Sequence, residues 1–526
     1  MLKVGSLDKQ KLIDPLFRTG WAFRPLLAFL LAVVGWGVYH YVRQITLGLG
    51  ETGMDRPSYW GIYMVNFIFF IGISHAGTLI SAILRVTGAE WRRPITRVAE
   101  AITAFALIVG TLQIIIDMGR PDRLWSVIVH GRLQSPILWD VVSVTLYFLG
   151  SVTYLYLPLI PDAAILRDNC PSDAPGWQRR LYTTLSLGWR GNREQWLRLE
   201  KAISMMAFFI IPVAISVHTI ISWILATTVQ PGWHSSIFGP YFVIGAIFSG
   251  IGALFLAMTA VRRTLGLENY IAERQYRNLG LLFLTMIFVW AYFTYAENLG
   301  VAAGQQTDEF PVLASKLWGS FAPGFWAMVS LMGVAFWVLV GPGLMPTVSP
   351  RVRLLQPRTS LAAGGVAAVL VLLLLTPNLM PPVTVALGDL AMRRAAWTLV
   401  GILTATALLG ATLWLKHQPV AATIVASVCV LIGMWLERWN IIIPTMTHPR
   451  LIPYTAYHPS ITEISLTAGS LALFCLLFLL FFRVFPAVSI WEVAEGRVIA
   501  EAQSKLEIPL PEAVGSSRTV RWGFKR

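Results

Sequence analysis

Residues 60–84, WGIYMVNFIFFIGISHAGTLISAIL, form a run of 25 residues that contains no Asp, Glu, Lys or Arg. A helix of roughly 20 apolar residues is long enough to cross the hydrocarbon core of a bilayer. The strands of a membrane barrel would instead be segments of about ten residues in which apolar and polar side chains alternate. The uninterrupted run therefore predicts a membrane-spanning helix.

Comparable runs recur from about residue 25 to residue 485 and predict an all-α fold made of transmembrane helix bundles, with about 10–12 spans. The candidate spans cover about 25–44, 60–84, 97–118, 136–160, 202–226, 238–261, 278–302, 322–345, 361–376, 396–415, 420–442 and 464–485. Only 13% of the residues are charged, against about 25% in an ordinary soluble domain. A soluble enzyme is excluded.

Basic residues concentrate in alternate connections between the predicted spans. Lys and Arg are frequent in the N-terminal segment 1–24 and in the connections 85–97, 179–201, 262–277 and 351–358. Cytoplasmic loops carry such an excess. We therefore expect a cytoplasmic N-terminal segment 1–24, a transmembrane domain 25–485 and a cytoplasmic tail 486–526, with no signal peptide removed. The net charge of +14 reflects these loops and not a nucleic-acid surface.

Two predicted spans open with similar sequences. WGIYMVNFIFF begins at Trp60, FGPYFVIGAIF begins at Phe238, and both contain G-x-Y followed by small and aromatic residues. This pattern indicates two related four-helix bundles, about 60–226 and 238–376. Chance similarity between two apolar segments explains it equally well.

Cysteine usage limits the cofactors that the chain can hold. Only Cys170, Cys429 and Cys475 occur, without a C-x-x-C or C-x-x-C-H motif. Neither an iron–sulfur cluster nor an attached haem c is therefore expected. His75 and His218 could ligate one haem b, but the other histidines lie at span ends or in loops. We predict no metal or haem in this chain, so redox metals would belong to partner subunits.

Four of the ionisable residues within the predicted spans or at their ends form one candidate set. They are His75 in the second span, Glu100 at the start of the third, His218 in the fifth and Glu297 at the end of the seventh. Ionisable groups at membrane depth face the protein interior or a water-filled cavity and are functional candidates. We predict that they form a proton path. The alternatives are a packing role for the histidines and helix capping for Glu100.

A dense polar group follows the third span. IIIDMGRPDRLW and SPILWD contain Asp117, Arg120, Asp122 and Asp140 around one hairpin, which the topology places near the outer face. A partly desolvated carboxylate can accept a proton from a substrate hydroxyl if it lies within hydrogen-bond distance. The alternative is structural, with an Asp117–Arg120 ion pair closing the hairpin and Asp140 capping a helix. Arg438, in WLERWNIIIPT, is a further outer-side candidate.

An ordered set of motifs resembles a known family. SHAGTLISAILRV, WRRPITRVAEAIT, DMGRPDR, SPILWD, VHTIISW, ERWNIIIPT and SLTAGSLALF, spread over about 60–493, are similar to the NrfD/PsrC-type membrane subunits. The resemblance is strongest to the large quinol-oxidising membrane subunit of alternative complex III. It implies haem-free helix bundles that exchange electrons between a membrane quinone and the iron–sulfur centres of an extrinsic partner.

The resemblance also assigns roles to individual residues. Asp140 matches the quinol-site aspartate of the family's W-D element. Asp117 stands before M-G-R-P, where alternative complex III subunits tend to have His and the wider family often has Asp. Such subunits also carry a longer aromatic, Pro-rich loop between these motifs. With Asp117 and Asp140 as catalytic residues, the predicted quinol-binding set adds His75, Arg120 and Arg438.

The expected function is quinol oxidation near the outer face, menaquinol being favoured, within a multi-subunit respiratory or photosynthetic complex. The implied partners are an extrinsic iron–sulfur subunit, a second NrfD-like membrane subunit and cytochrome c subunits, in a bacterial cytoplasmic membrane. Coupling to proton translocation is a separate hypothesis. The alternatives are the membrane anchor and quinone-site subunit of a polysulfide- or tetrathionate-type molybdoenzyme, and a proton-conducting anchor without an active quinone site.

Overall fold

The computed structural model describes residues 8–17, 20–172, 174–344, parts of 399–416, 418–450 and 453–505. The ninth predicted span at 361–376 and part of the tenth at 396–415 lie outside these residues. The chain divides into two compact units, residues 1–332 with 427–526 and residues 333–426. Within the second unit, Trp337 Nε1 donates a hydrogen bond to Thr412 Oγ1 at 2.9 Å. All candidate site residues belong to the first unit.

The described α-helices of six or more residues are α1 Phe23–Leu47, α2 Ile62–Val86, α3 Thr96–Asp117, α4 Leu124–Val129, α5 Pro136–Asp168, α6 Gly176–Leu185, α7 Arg193–Ala226, α8 Phe238–Thr264, α9 Glu273–Gly304, α10 Phe310–Leu317, α11 Ala322–Leu344, α12 Pro419–Thr447, α13 Ile461–Val484 and α14 Ile490–Lys505. Ten of them, all except α4, α6, α10 and α14, are long and apolar enough to cross a membrane. No strand occurs in the described residues. The all-α polytopic fold is confirmed.

Three spanning helices have more than 30 residues and are much longer than the apolar runs that predicted them. Helices α5, α7 and α9 contain 33, 34 and 32 residues, whereas roughly 20 suffice to cross a bilayer. Helix α7 begins at Arg193 and not near residue 202, because Asn192 caps it by accepting a hydrogen bond from the Gln195 backbone N–H at 2.9 Å. A capped polar first turn extends a helix beyond the apolar run.

Helix α2 is the central helix of the first unit. It packs against α3, α7 and α8, while α3 also packs against α5 and α5 against α7. Gly77 allows the close approach of α2 to α3, because a Cβ there would overlap the Ala99 carbonyl oxygen. At Gly72, a Cβ would lie 3.3 Å from Ser249 Oγ of α8. Helices α2, α3, α5 and α7 thus form a four-helix group, whereas the predicted second bundle extends into undescribed residues.

Hydrogen bonds show which helix ends lie together. Gln44 Nε2 near the end of α1 donates to the Ile116 carbonyl of α3 at 2.8 Å, and the Ile62 backbone N–H of α2 donates to Tyr457 Oη at 2.8 Å. Ser235 before α8 donates to Glu297 near the end of α9 at 2.5 Å. We call this the outer end of the first unit, because the basic connections predict that the opposite, inner end faces the cytoplasm.

The inner end contains a fully buried ion pair. Arg97 Nη1 lies 2.6 Å from Asp162 Oδ2, with side chains 1% and 0% exposed. Asp162 also accepts hydrogen bonds from the backbone N–H groups of Ile490 and Trp491, each at 3.2 Å. The predicted tail therefore begins inside the protein, since residues 485–492 are all buried. Further along, Arg497 forms an ion pair with Asp8 at 2.8 Å, so the described ends of the chain meet.

Replacing Gly77 by Ala is expected to destabilise the protein, because the added Cβ overlaps the Ala99 backbone. Overpacking of this kind costs about 1–3 kcal/mol. The matched control is Gly35→Ala in α1, where nothing lies within 4 Å of the added atom. The measurement is the thermal unfolding midpoint of both variants in detergent. Midpoints equal to that of the wild type for both would contradict the close α2–α3 contact.

Candidate functional site

Asp140 lies near the start of α5, at the outer end. The N-cap position of α5 is Ser135, five residues earlier, so Asp140 does not cap the helix. The residue is half-buried. Its Oδ1 atom is shielded from solvent and has no hydrogen-bond partner in the described structure. A shielded carboxylate oxygen without a partner is unusual in a protein interior and favours an external donor such as water or a ligand.

Asp117 is the last residue of α3 and does not form the ion pair with Arg120 that the sequence offered as an alternative. Arg120 pairs instead with Asp122 at 2.9 Å, and both side chains are about 60% exposed. The hydrogen bond from Arg120 lowers the pKa of Asp122 below its ordinary value. Arg120, a predicted quinol-binding residue, therefore lies on the exposed hairpin. Asp117 Oδ1 is shielded and unpartnered, like Asp140 Oδ1.

The charged group that acts on Asp117 is Glu463, near the start of α13. Glu463 is held in place by three hydrogen bonds: Tyr457 Oη donates to it at 2.6 Å, the Gly53 backbone N–H at 2.6 Å and the Ser460 backbone N–H at 2.8 Å. The last bond belongs to a capping box that starts α13. The S-x-x-E sequence is a detectable signal for the start of α13, but nothing in the sequence indicates that Glu463 acts on Asp117.

The structure shows no hydrogen bond between Asp117 and Asp140 in the residues that it describes. The two aspartates lie on α3 and α5, which pack against each other. The charges of Glu463 and Asp117 act electrostatically on the Tyr63 phenol of α2. The Tyr63 hydroxyl donates a hydrogen bond to Gln44 Oε1 at 2.7 Å. The outer end therefore offers Asp140 on one helix and an Asp117–Glu463–Tyr63 cluster on others.

His75 and His218, predicted from separate spans, are in direct contact. Their ring centroids are 4.0 Å apart in a T-shaped arrangement. His75 Nδ1 lies 2.7 Å from the Ile71 carbonyl oxygen, and Nε2 lies 2.5 Å from that of Ala214. A neutral imidazole has one N–H and can donate to only one of these carbonyls at a time. The contact between the rings leaves no space for a haem plane between them.

His218 is fully buried, and neither of its ring nitrogens has a hydrogen-bond partner in the described part of the chain. On the other side of His75, the Tyr147 ring centroid is 4.9 Å away, and Tyr147 Oη donates to the Ser74 carbonyl at 3.1 Å. Ser151, one turn further along α5, is 2% exposed, and its hydroxyl has no described partner. Unpartnered buried polar atoms of this kind are normally satisfied by internal water.

Glu100 lies towards the inner end and is 2% exposed. Ser81 Oγ donates to its Oε1 at 3.1 Å, and Tyr154 Oη lies 3.5 Å from Ser81 Oγ. Glu100 is five residues beyond the N-cap position of α3, Ile95, and so does not cap that helix. Its Oε2 has no described partner. Ser74 and Ser81 are two helical turns apart, about 10 Å, which separates Glu100 from the histidine pair.

Glu492 of the buried C-terminal segment acts electrostatically on Glu100. Its carboxylate lies 3.2 Å from Arg85 and 3.7 Å from Arg92. Burial acts to raise the pKa of Glu492, but the Arg92 and Arg85 charges outweigh it and hold that pKa below its ordinary value. The sequence assigned Glu492 to a cytoplasmic tail and gave no signal of this placement.

Arg438 lies inside the first unit, on α12, and is 2% exposed. Its Nη1 lies 3.1 Å from Glu437 Oε2, and its guanidinium stacks over the Phe242 ring at 4.9 Å. Its described contacts include neither Asp117 nor Asp140. Arg438 acts electrostatically on His218 instead. Glu297, the remaining predicted path residue, accepts a hydrogen bond from Ser235 at the outer end.

The described residues contain no group of three or more His, Cys, Asp or Glu side chains that could hold a metal ion. Cys170, Cys429 and Cys475 are free thiols. The polar groups suit proton transfer and hydrogen bonding to a small polar head group.

Comparison with known proteins identifies relatives among membrane subunits. Residues 50–382 match the family described as "Polysulphide reductase, NrfD". A putative dimethyl sulfoxide reductase membrane subunit of Halobacterium salinarum is 30% identical over 60% of this chain and 66% of its own. A selenate reductase subunit of Mesobacillus selenatarsenatis is 25% identical, over 43% and 53%. The Hdr-like menaquinol oxidoreductase integral membrane subunit of Archaeoglobus fulgidus is 24% identical, over 60% and 70%.

The chain thus spans about two thirds and about half the length of the first two relatives. The family match, by contrast, covers more than half of this chain and includes α2 to α11. Together with the ten membrane-spanning helices, it shows that the protein belongs to the polysulphide reductase NrfD family of integral membrane subunits.

Proposed function

We propose that this chain is the quinol-reactive membrane subunit of an oxidoreductase complex. It binds menaquinol near the outer end, accepts the quinol protons and passes the electrons to an extrinsic iron–sulfur subunit. The family and the menaquinol oxidoreductase name of one relative support this role. A bacterial cytoplasmic membrane, with both chain ends inside, fits the basic inner connections.

Asp140 is the observation that carries the proposal. It combines a position near the outer end, partial burial and a shielded carboxylate oxygen without a hydrogen-bond partner. Quinol oxidation releases two protons with two electrons, so the site needs a proton acceptor close to the quinol hydroxyl. Asp117 supplies a second acceptor, and Arg120 lies on the same hairpin. The other two residues predicted from sequence to bind quinol, His75 and Arg438, have no described contact with Asp117 or Asp140.

The electron acceptor belongs to a partner in this account, because the described residues offer no metal-binding group. An alternative complex III-type assembly would add a second NrfD-like membrane subunit and cytochrome c subunits. A second candidate is the membrane subunit of a molybdoenzyme, favoured by the dimethyl sulfoxide and selenate reductase names of two relatives. Both use the same outer site, and the co-purifying subunits distinguish them.

Proton translocation is a separable part of the proposal. Glu100, His75 and His218 form a line of buried polar groups from the inner end to the middle of the first unit. Unpartnered atoms of Glu100, Ser151 and His218 along this line would be satisfied by internal water, which can relay protons. Glu297 continues the line at the outer end.

Replacing Asp140 by Asn is expected to lower quinol oxidation by the purified complex about 100-fold or more, because a carboxamide cannot act as a base and general-base catalysis contributes about 10²–10⁴. The measurement is steady-state quinol oxidation with an artificial electron acceptor. The matched control is Asp168→Asn, at the opposite end of α5, whose carboxylate pairs with the neighbouring Arg167. Unchanged turnover in the Asp140 variant, with the complex intact, would return Asp140 to a structural role.

Replacing Glu100 by Gln is expected to abolish proton translocation but to leave quinol oxidation with an uncoupler largely intact. The amide keeps the contact with Ser81 but cannot exchange a proton. The measurement is the number of protons released per electron in proteoliposomes. Glu90→Gln is the control, since that exposed carboxylate only pairs with Arg93. An unchanged ratio in the Glu100 variant would exclude this path.

A further inference from the structure

A small cavity with polar groups in its wall lies between α8, α9, α10, α11 and α12, towards the outer end. Its volume is about 50 Å³, which is enough to hold internal water. The side chains that matter in its wall are Tyr241, Thr294, Glu297, Lys316, Glu437 and Asn440. Neither Asp117 nor Asp140 lines it. The cavity is therefore distinct from the proposed quinol site.

Glu437 lies in the wall of this cavity and is 1% exposed. Trp290 Nε1 donates a hydrogen bond to its Oε1 at 2.5 Å, and Arg438 Nη1 lies 3.1 Å from its Oε2. The Asn440 Oδ1 atom, also in the wall, is buried and has no hydrogen-bond partner in the described structure. Such an atom is normally satisfied by a bound water.

Lys316 contributes a positive charge to the same cavity. It lies on α10, outside the spanning helices, and no ion pair within 4 Å is found for it among the described residues. Burial lowers the pKa of Lys316, and the charge of Glu297 opposes that effect. Glu297 in turn accepts a hydrogen bond from the exposed Ser235, which connects the cavity wall to the outer surface.

Arg438 connects Glu437 with the histidine pair, His75 and His218. Arg438, its ion-pair partner, packs on Gly245, where a Cβ would overlap the guanidinium. Arg438 acts electrostatically on His218, whose Nε2 lies 3.9 Å from the position of a Cβ on Gly72. The same Gly72 position lies 3.6 Å from Ala246 Cα, next to Gly245, so His218 and Arg438 lie near adjacent residues of α8. Buried polar groups therefore extend from His75 through His218 and Arg438 to Glu437 in the cavity wall.

We propose that the cavity is a water-filled proton-release chamber, in which Glu437 receives protons from His218 and Glu297, beside Lys316, delivers them to the outer surface. The inference rests on the proposed proton path and deepens it. Because arginine does not release its proton in proteins, Arg438 cannot carry the proton, and a water beside it bridges the two groups. An N–H bond of His218 imidazolium breaks and an O–H bond forms on Glu437; no electron moves.

This arrangement separates two sets of protons. Those released by quinol leave through Asp140, whereas translocated protons leave through the chamber between α8, α9, α10, α11 and α12. Quinol oxidation alone accounts for one proton released per electron, so translocation appears as a ratio above one. A variant of the chamber should change this ratio without changing the chemistry at Asp140.

The test uses the complete complex in proteoliposomes with quinol as the electron donor. Glu437→Gln and Lys316→Met are each expected to lower the outward release from above one proton per electron to one. Quinol oxidation with an uncoupler is expected to remain at the wild-type rate. Difference infrared spectroscopy adds a readout that does not depend on the proton ratio, because Glu437→Gln should remove a carboxylic acid band that appears when Glu437 receives a proton during turnover. Glu268→Gln, an exposed carboxylate, is the matched control.

Three results would contradict the proposed chamber. They are a ratio of one proton released per electron in the wild type, an unchanged ratio in Glu437→Gln, and loss of uncoupled quinol oxidation in that variant. The last would assign Glu437 to the quinol site. Misfolding is distinguished by comparing assembly and by Lys316→Arg, which keeps the charge and should keep the ratio above one. The proposed quinol site is tested separately: normal quinol oxidation by Asp140→Asn would contradict that site without contradicting the chamber.

Discussion

The structure depends on one constraint: a polar group enclosed by spanning helices must find a partner inside the protein. At the inner end, Arg97 and Asp162 are partners in an ion pair, and two backbone N–H groups of the C-terminal segment donate further hydrogen bonds to Asp162. The close approach of α2 to α3 at Gly77 brings the remaining buried polar groups together. His218 and Asp140 Oδ1 have no such partner among the described residues. We propose that water hydrogen-bonds to His218 and that the substrate hydrogen-bonds to Asp140.

Hydropathy and charge predicted the fold well, because the bilayer imposes a length and an apolar composition that are visible in one sequence. Each predicted span that lies wholly in described residues corresponds to a helix that is long and apolar enough to cross a membrane. The helix ends were less predictable. The Asn192 cap extends α7 by about two turns, since capping and long polar turns do not register in an average of hydropathy.

The site was predictable only in part. His75 and His218 stood out as ionisable groups at membrane depth, but nothing in the sequence revealed their contact. Glu492 was assigned to a tail and is buried next to Arg85. Arg438 was predicted to bind quinol, and nothing in the sequence revealed that it is buried beside Glu437 without a described contact with Asp117 or Asp140. These placements depend on contacts between residues distant in sequence, which periodicity and spacing do not encode.

The central claim is that quinol reacts at the outer end of this protein. Labelling the intact complex with a photoreactive quinone, followed by peptide mapping, tests it most directly. The account predicts that the label lies in the hairpin between Asp117 and Asp140 or on neighbouring helix ends, and that excess quinol prevents it. Competed labelling confined to another protein of the complex, or to the inner end of this one, would contradict it.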